Sequence, residues 1–149
     1  MLIGEYRNSI DDKGRLQLPS RLRSEIAGTS LVLTRGVDTC LWLFPDEEWR
    51  RIAQSIMGSS SMFKSKTRLL QRRIIAPAQE LEIDKTGRIP IPPTLRESAG
   101  LQLKSEAIIL GIDSYIEIWD TEMYNSYLSE SEEEFLEAAE QLGELLSNR

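Results

Sequence analysis

The ten residues Ile10-Asp11-Asp12-Lys13-Gly14-Arg15-Leu16-Gln17-Leu18-Pro19 return 73 residues later as Ile83-Asp84-Lys85-Thr86-Gly87-Arg88-Ile89-Pro90-Ile91-Pro92. The match continues through Leu22-Arg23 and Leu95-Arg96, and, with two residues added, residues 37–44 align with residues 112–119. The period exceeds the 20–50 residues of solenoid repeats and occurs only twice, which points to tandem duplication of one small α/β unit. At 149 residues the chain has room for one ordinary domain or two very small ones. Its fold must therefore be built twice from one pattern.

Each copy reads alike. A strand (about Glu5–Ile10; about Glu80–Ile83) runs into an Asp-x-x-Gly-Arg turn, where Gly14 or Gly87 takes a positive φ. The next strand alternates, with Leu16 and Leu18 on one face and Arg15 and Gln17 on the other; Ile89 and Ile91 repeat this against Arg88 and Pro90. Pro19 or Pro92-Pro93 starts a short helix with Leu22 and Ile26, or Leu95 and Ala99, on its inner side, and Gly28 or Gly100 caps it. Two more strands follow, joined at Asp38-Thr39 or Asp113-Ser114. An amphipathic helix beginning after Pro45 then carries Trp49, Ile52, Ala53, Ile56 and Met57 on one face, and Gly58-Ser59-Ser60-Ser61 breaks it. A basic helix with Lys64, Lys66, Arg68, Arg72 and Arg73 bridges to the second copy, and helices over Glu122–Leu128 and Glu132–Leu146 close the chain.

The composition, 40% hydrophobic and 28% charged, is that of a globular protein and excludes disordered, collagenous and membrane classes. No apolar run approaches the ~20 residues of a membrane span, and the N-terminus lacks a signal-peptide pattern, so a cytoplasmic, nucleoid-associated protein is expected. Histidine is absent, which removes Ser-His-Asp and Cys-His catalysis and imidazole metal sites. The single cysteine, Cys40, reads as core, and neither a disulfide nor a Cys-based zinc site can form. No enzyme activity, cofactor, metal or small-molecule ligand is expected.

The formal charge of −6 argues at first against a nucleic-acid binder. Residues 1–76, however, carry +5 and residues 77–149 carry −11. Comparing the copies locates the positive side. Arg7, Lys13 and Arg21 become Glu80, Thr86 and Thr94, and only Asp12 to Lys85 runs the other way. An arginine projecting from such a turn offers a planar fork of donors suited to phosphate oxygens or the guanine edge. Arg15 and Lys13, with Arg7 and Arg88, are therefore the candidate nucleic-acid contacts. Asp11, Gly14, Asp84 and Gly87 are the candidate structural residues of the two turns. The bland reading of the same motif stays open, with the aspartates accepting turn amides and pairing with their arginines. The basic bridging helix can be a solvated face or pair with the acidic C-terminal helix or a neighbouring subunit.

The residues Gly4-Glu5-Tyr6, Asp11-x-Lys13-Gly14-Arg15 with Pro19, Leu33-Thr34-Arg35-Gly36-x-Asp38-x-Cys40-Leu41, Glu48-Trp49, Asp84-Lys85-x-Gly87-Arg88 and Ile116-Glu117-Ile118-Trp119 resemble the MraZ family of bacterial transcriptional regulators over nearly the whole chain. The resemblance implies an α+β fold: a tandem duplication of a swapped-hairpin, AbrB-like β-barrel unit with short helices, forming one pseudo-twofold subunit. It divides the chain into a first repeat (1–57), a basic linking helix (58–78), a second repeat (79–128) and an acidic C-terminal helix (129–149). It implies homo-oligomers, as a ring, that bind short repeated boxes in double-stranded promoter DNA through the Asp-x-x-x-Arg turns. Those boxes precede the division and cell-wall operon that the regulator itself belongs to, with repression the expected effect. A protein-interaction scaffold without DNA binding is the alternative.

Overall fold

Why two copies of one unit occupy a single chain is answered by strand pairing. The computed structural model describes residues 1–58 and 62–148. Its strands are β1 (Leu2–Ser9), β2 (Arg15–Gln17), β3 (Ser30–Arg35), β4 (Leu41–Pro45), β5 (Gln79–Glu82), β6 (Arg88–Pro90), β7 (Glu106–Asp113) and β8 (Tyr115–Asp120). Six of them form an antiparallel sheet in the order β1-β7-β8-β4-β3-β5, and β2 pairs with β6. The first strand of each repeat thus lies against the third strand of the other. Leu2 to Ser9 pair with Asp113 to Glu106, and Ser30 to Leu33 pair with Glu82 to Gln79. The fold is α+β, two copies of one unit in tandem, related by a pseudo-twofold between β4 and β8.

The Asp-x-x-Gly-Arg turn does not fold its own two strands into a ladder. Within the first repeat they are joined by an isolated bridge, Ile10 to Leu16, and by the Asn8 side-chain amide, which donates to the Gln17 carbonyl at 2.8 Å. The ladder forms between repeats, with Arg15 opposite Pro90, Leu16 opposite Ile89 and Gln17 opposite Arg88. Single-chain periodicity cannot distinguish these pairings, because both put Leu16 and Ile89 on the inner face.

Alternation sorts the strands into two layers of packing. Leu31, Leu33, Leu41, Leu43, Ile109, Ile116 and Ile118 face Leu16, Leu18, Leu22, Ile89, Ile91 and Leu95 in the main core. The intervening Ile108 and Leu110 join Cys40 and Trp119 in a smaller cluster on the other face, against Trp42 and Tyr124. Cys40 is buried as expected, one residue before β4, and burial pushes its thiol far above the ordinary range.

The helices are α1 (Ser20–Arg23), α2 (Asp46–Gly58), α3 (Ser65–Leu70), α4 (Pro93–Ser98), α5 (Thr121–Glu130) and α6 (Glu132–Ser147), with a π-helical turn over Gln71–Ile75 continuing α3. Gly100, at φ +67, closes α4 in a Schellman arrangement: the Leu101 amide donates to the Arg96 carbonyl at 3.0 Å and the Gly100 amide to Glu97 at 3.1 Å. The first repeat departs from this pattern. Helix α1 stops at Arg23, so Gly28 lies beyond it in an irregular turn, and Ile26 is buried from that turn rather than from the helix. The apolar face expected on α2 is only partly covered. Trp49, Ile52, Ala53 and Ile56 are half-buried and Met57 is exposed, because the helix rests on β3 and β4 with its outer flank open. It ends at Gly58; the expected break over residues 59–61 lies outside the described residues. Thr34, fully buried, donates its hydroxyl to the Ile74 carbonyl at 2.6 Å, which seats the π-helical turn on β3. No described helix is long and apolar enough to cross a membrane.

Strand exchange carries a direct consequence. A fragment of residues 1–73 keeps β3 and β4 but loses the partners of β1 and β2. It is expected to lack cooperative unfolding as a monomer, by circular dichroism and sedimentation, and to gain it only where two fragments pair.

Candidate nucleic-acid interface

Each turn is closed by one carboxylate. Asp11 Oδ1 accepts the amides of Lys13 (2.9 Å) and Arg15 (2.8 Å), while Oδ2 accepts Nε of Arg15 at 2.8 Å. Asp84 repeats this with the amides of Thr86 and Arg88, both at 2.9 Å, the Thr86 hydroxyl at 2.8 Å, and Arg88 Nε at 3.0 Å. Four to five positions of chain are thereby fixed by a short side chain that reaches the amides a tight turn leaves unpaired. The Arg15 amide, with lesser help from its side chain and the Lys13 amide, holds the Asp11 carboxyl below its ordinary value. The Arg88 amide and the Thr86 hydroxyl depress Asp84 further.

Inter-repeat pairing then sets the two turns side by side. The Leu18 amide donates to the Gly87 carbonyl (2.9 Å), the Ile91 amide to the Gly14 carbonyl (2.8 Å), and the Gln17 side-chain amide to the Thr86 carbonyl (2.6 Å). Arg88 Nη1 lies 3.9 Å from Asp11 Oδ2, so Arg88 spans both carboxylates. Arg15 is held by Asp11 through Nε. Its two terminal nitrogens make no hydrogen bond or ion pair among the described residues, and its side chain is 32% exposed. Lys13, Asp12, Lys85 and Thr86 are exposed at the tips. The ridge therefore presents an anchored guanidinium with its fork edge turned away from its anchor.

The structure brings Arg15, Arg88, Asp11 and Asp84 into one network, with Lys13 beside it. Arg7 is not in that network: it sits on β1 and its guanidinium faces Glu106 at 3.6 Å. Three further basic residues were not anticipated as site residues. Arg23 donates Nε to the Leu18 carbonyl at 3.1 Å, and its guanidinium occupies the space a Cβ on Gly87 would take. Arg96 holds the equivalent place beneath Gly14, with its Nε buried and unpartnered among the described residues. The signal was present in the repeated Leu-Arg pairs at 22–23 and 95–96, read there only as alignment. Lys104 has no counterpart in the first repeat. At φ +66 its amide donates to the Ile10 carbonyl at 2.8 Å, which sets an exposed cation of the second repeat beside the first turn.

Both carboxylates of the ridge are saturated by donors, and no described group of three or more His, Cys, Asp or Glu could hold a metal ion. A cavity of about 640 Å³, bordered by Val37, Trp119 and Met123, opens beside α5. What the ridge can do is bind anions with fixed geometry.

Two outcomes are expected. Gly87→Ala forces a side chain into φ +87 and into the Arg23 guanidinium, and should cost about 1–3 kcal/mol in urea denaturation. Because both aspartates have depressed native values, their stabilisation is complete above the unfolded carboxylate range. It is lost as pH falls through the native values. Asp84→Asn should flatten the acid limb of a stability–pH profile below about pH 4, relative to the unchanged chain.

Comparison with known proteins follows the same duplication. The family model described as MraZ protein matches twice, over residues 1–73 and 74–145. A transcriptional regulator MraZ of Treponema denticola is 49% identical over 97% of this chain and 99% of that relative. Those of Treponema pallidum, at 45% over 95% and 94%, and of Thermoanaerobacter pseudethanolicus, at 39% over 97% and 99%, carry the same name.

Proposed function

The chain belongs to the MraZ family, and we propose that it regulates transcription by docking the paired Asp-x-x-x-Arg turns on short repeated boxes of double-stranded promoter DNA. The observation that carries this reading is Arg15, anchored through Nε on an exposed ridge with both terminal nitrogens available. Such a fork matches two phosphate oxygens or the O6/N7 edge of guanine. Lys13 adds a phosphate contact beside it. Arg88 and Arg7 contribute at the margins, since Arg88 is shared between two carboxylates and Arg7 lies outside the turn network, facing Glu106.

One copy offers few cations, so affinity depends on several subunits acting together. A ring of copies on repeated boxes turns later contacts into effectively intramolecular ones and raises avidity by about 10²–10⁴ when spacing fits. In this reading residues 1–57 and 79–128 are the two repeats, 58–78 the basic linker and 129–149 an acidic helix. The protein works at the nucleoid in the cytoplasm, as a repressor of its own division and cell-wall operon.

Arg15→Ala should abolish specific binding in a gel shift on the upstream region while native mass spectrometry shows the assembly unchanged. Arg15→Lys should fail almost as badly, because it keeps the charge and loses the planar fork. Full binding by Arg15→Ala would exclude the reading. Specific binding should also fall steeply with salt on a log–log plot, whereas a scaffold protein binds no DNA even at about 50 mM.

A further inference from the structure

Every described residue of α6 from Glu132 onward is exposed, including Phe135 (63%), Leu142 (54%), Leu145 (69%) and Leu146 (51%). At 100° per residue Phe135, Ala139, Leu142 and Leu146 form one stripe, with Glu132 and Glu134 on its two flanks and Glu137 and Glu140 further round. A lone 16-residue helix is marginal in water, and an uncovered apolar stripe of this length marks an interaction surface. No α6 glutamate makes an ion pair among the described residues.

A complementary face exists elsewhere on the chain. In α3 and the π-helical turn, Thr67 and Ile74 are buried while Lys66, Leu69, Leu70, Arg72 and Arg73 are exposed. Lys66, Arg72 and Arg73 likewise make no ion pair among the described residues. This face rides on β3, whereas α6 leaves from α5, which packs on β7 and β8 in the other half of the sheet.

We propose that α6 of one copy docks, apolar stripe inward, on the Lys66–Arg73 face of a second copy, joining subunits head to tail. Leu69 and Leu70 meet the stripe, and the long cationic side chains reach its glutamate flanks. Pairing α6 with another α6 would instead crowd like charges along both flanks, which is why the cationic face is the favoured occupant. Because the two patches differ, the contact is heterologous and propagates into a closed ring when its rotation closes. The inference rests on the oligomer reading above and names its interface.

Sedimentation of the full chain tests it, with one variant reversing α6 (Glu132, Glu134, Glu137 and Glu140→Lys) and another reversing the partner face (Lys66, Arg72 and Arg73→Glu). Glutamine replacements serve where either set loses helical signal. Each variant alone should run as monomer. Mixed one to one they should regain the wild-type size, since each reversed α6 then meets a reversed face. A monomeric wild type would overturn the oligomer reading and this interface together. A wild-type oligomer that both variants preserve, or monomers that fail to reassemble on mixing, would overturn the interface alone. So would disruption by the α6 variant only, which indicates α6 self-pairing, or loss of DNA binding with assembly intact in the other, which assigns those cations to nucleic acid.

Discussion

The exchange of strands between repeats is the constraint on which everything else depends. Neither repeat closes its own sheet: β1 needs β7, β5 needs β3, and β2 needs β6. The main core is accordingly continuous, with Leu16 and Leu18 of one repeat packed in the same cluster as Ile89 and Ile91 of the other. Burying a leucine or isoleucine stabilises by roughly 1.5–3 kcal/mol, and here most of that gain arises only when both repeats are present. Duplication in one chain makes the encounter intramolecular and keeps the exchanged partner permanently at hand.

The same exchange builds the ridge of paired turns. An Asp-closed turn is a local device, complete within five residues. Two such turns become one surface because β2 and β6 pair, and the turn glycines accept hydrogen bonds from the opposite repeat. Arg23 and Arg96 lie under the opposite turns, and at Gly87, where the Arg23 guanidinium fills the place of a Cβ, the glycine supplies space as well as positive φ. A rigid bed of this kind lowers the ordering cost of presenting an arginine fork to an anionic partner.

Near-symmetry is broken at the pseudo-twofold and on the ridge. At the pseudo-twofold, duplication would set like against like; instead Trp42 stands opposite Glu117, whose carboxylate accepts the indole N–H groups of Trp42 and Trp119, both at 3.0 Å. On the ridge, Lys13 and Arg15 are the freer cations while Arg88 is shared between two aspartates. The halves of the chain also differ in charge, +5 against −11, which concentrates negative potential away from the first turn.

Much of this was legible in the sequence, because turns, caps and alternation are local. Asp11, Gly14, Asp84 and Gly87 announce their turns, Pro92-Pro93 and Gly100 bracket a helix, and period-two alternation marks Leu16 and Ile89 as inner residues. The two Arg-bearing turns, and the resemblance to a family of transcriptional regulators, could be read from the sequence alone. Non-local choices could not. Which strand pairs with which, that Arg88 reaches Asp11, that Arg23 sits on Gly87 and that Lys104 enters beside the first turn all join residues far apart in sequence. Local pattern is identical for a strand paired with its neighbour or with its repeat; only the burial of both inner faces in one core selects between them.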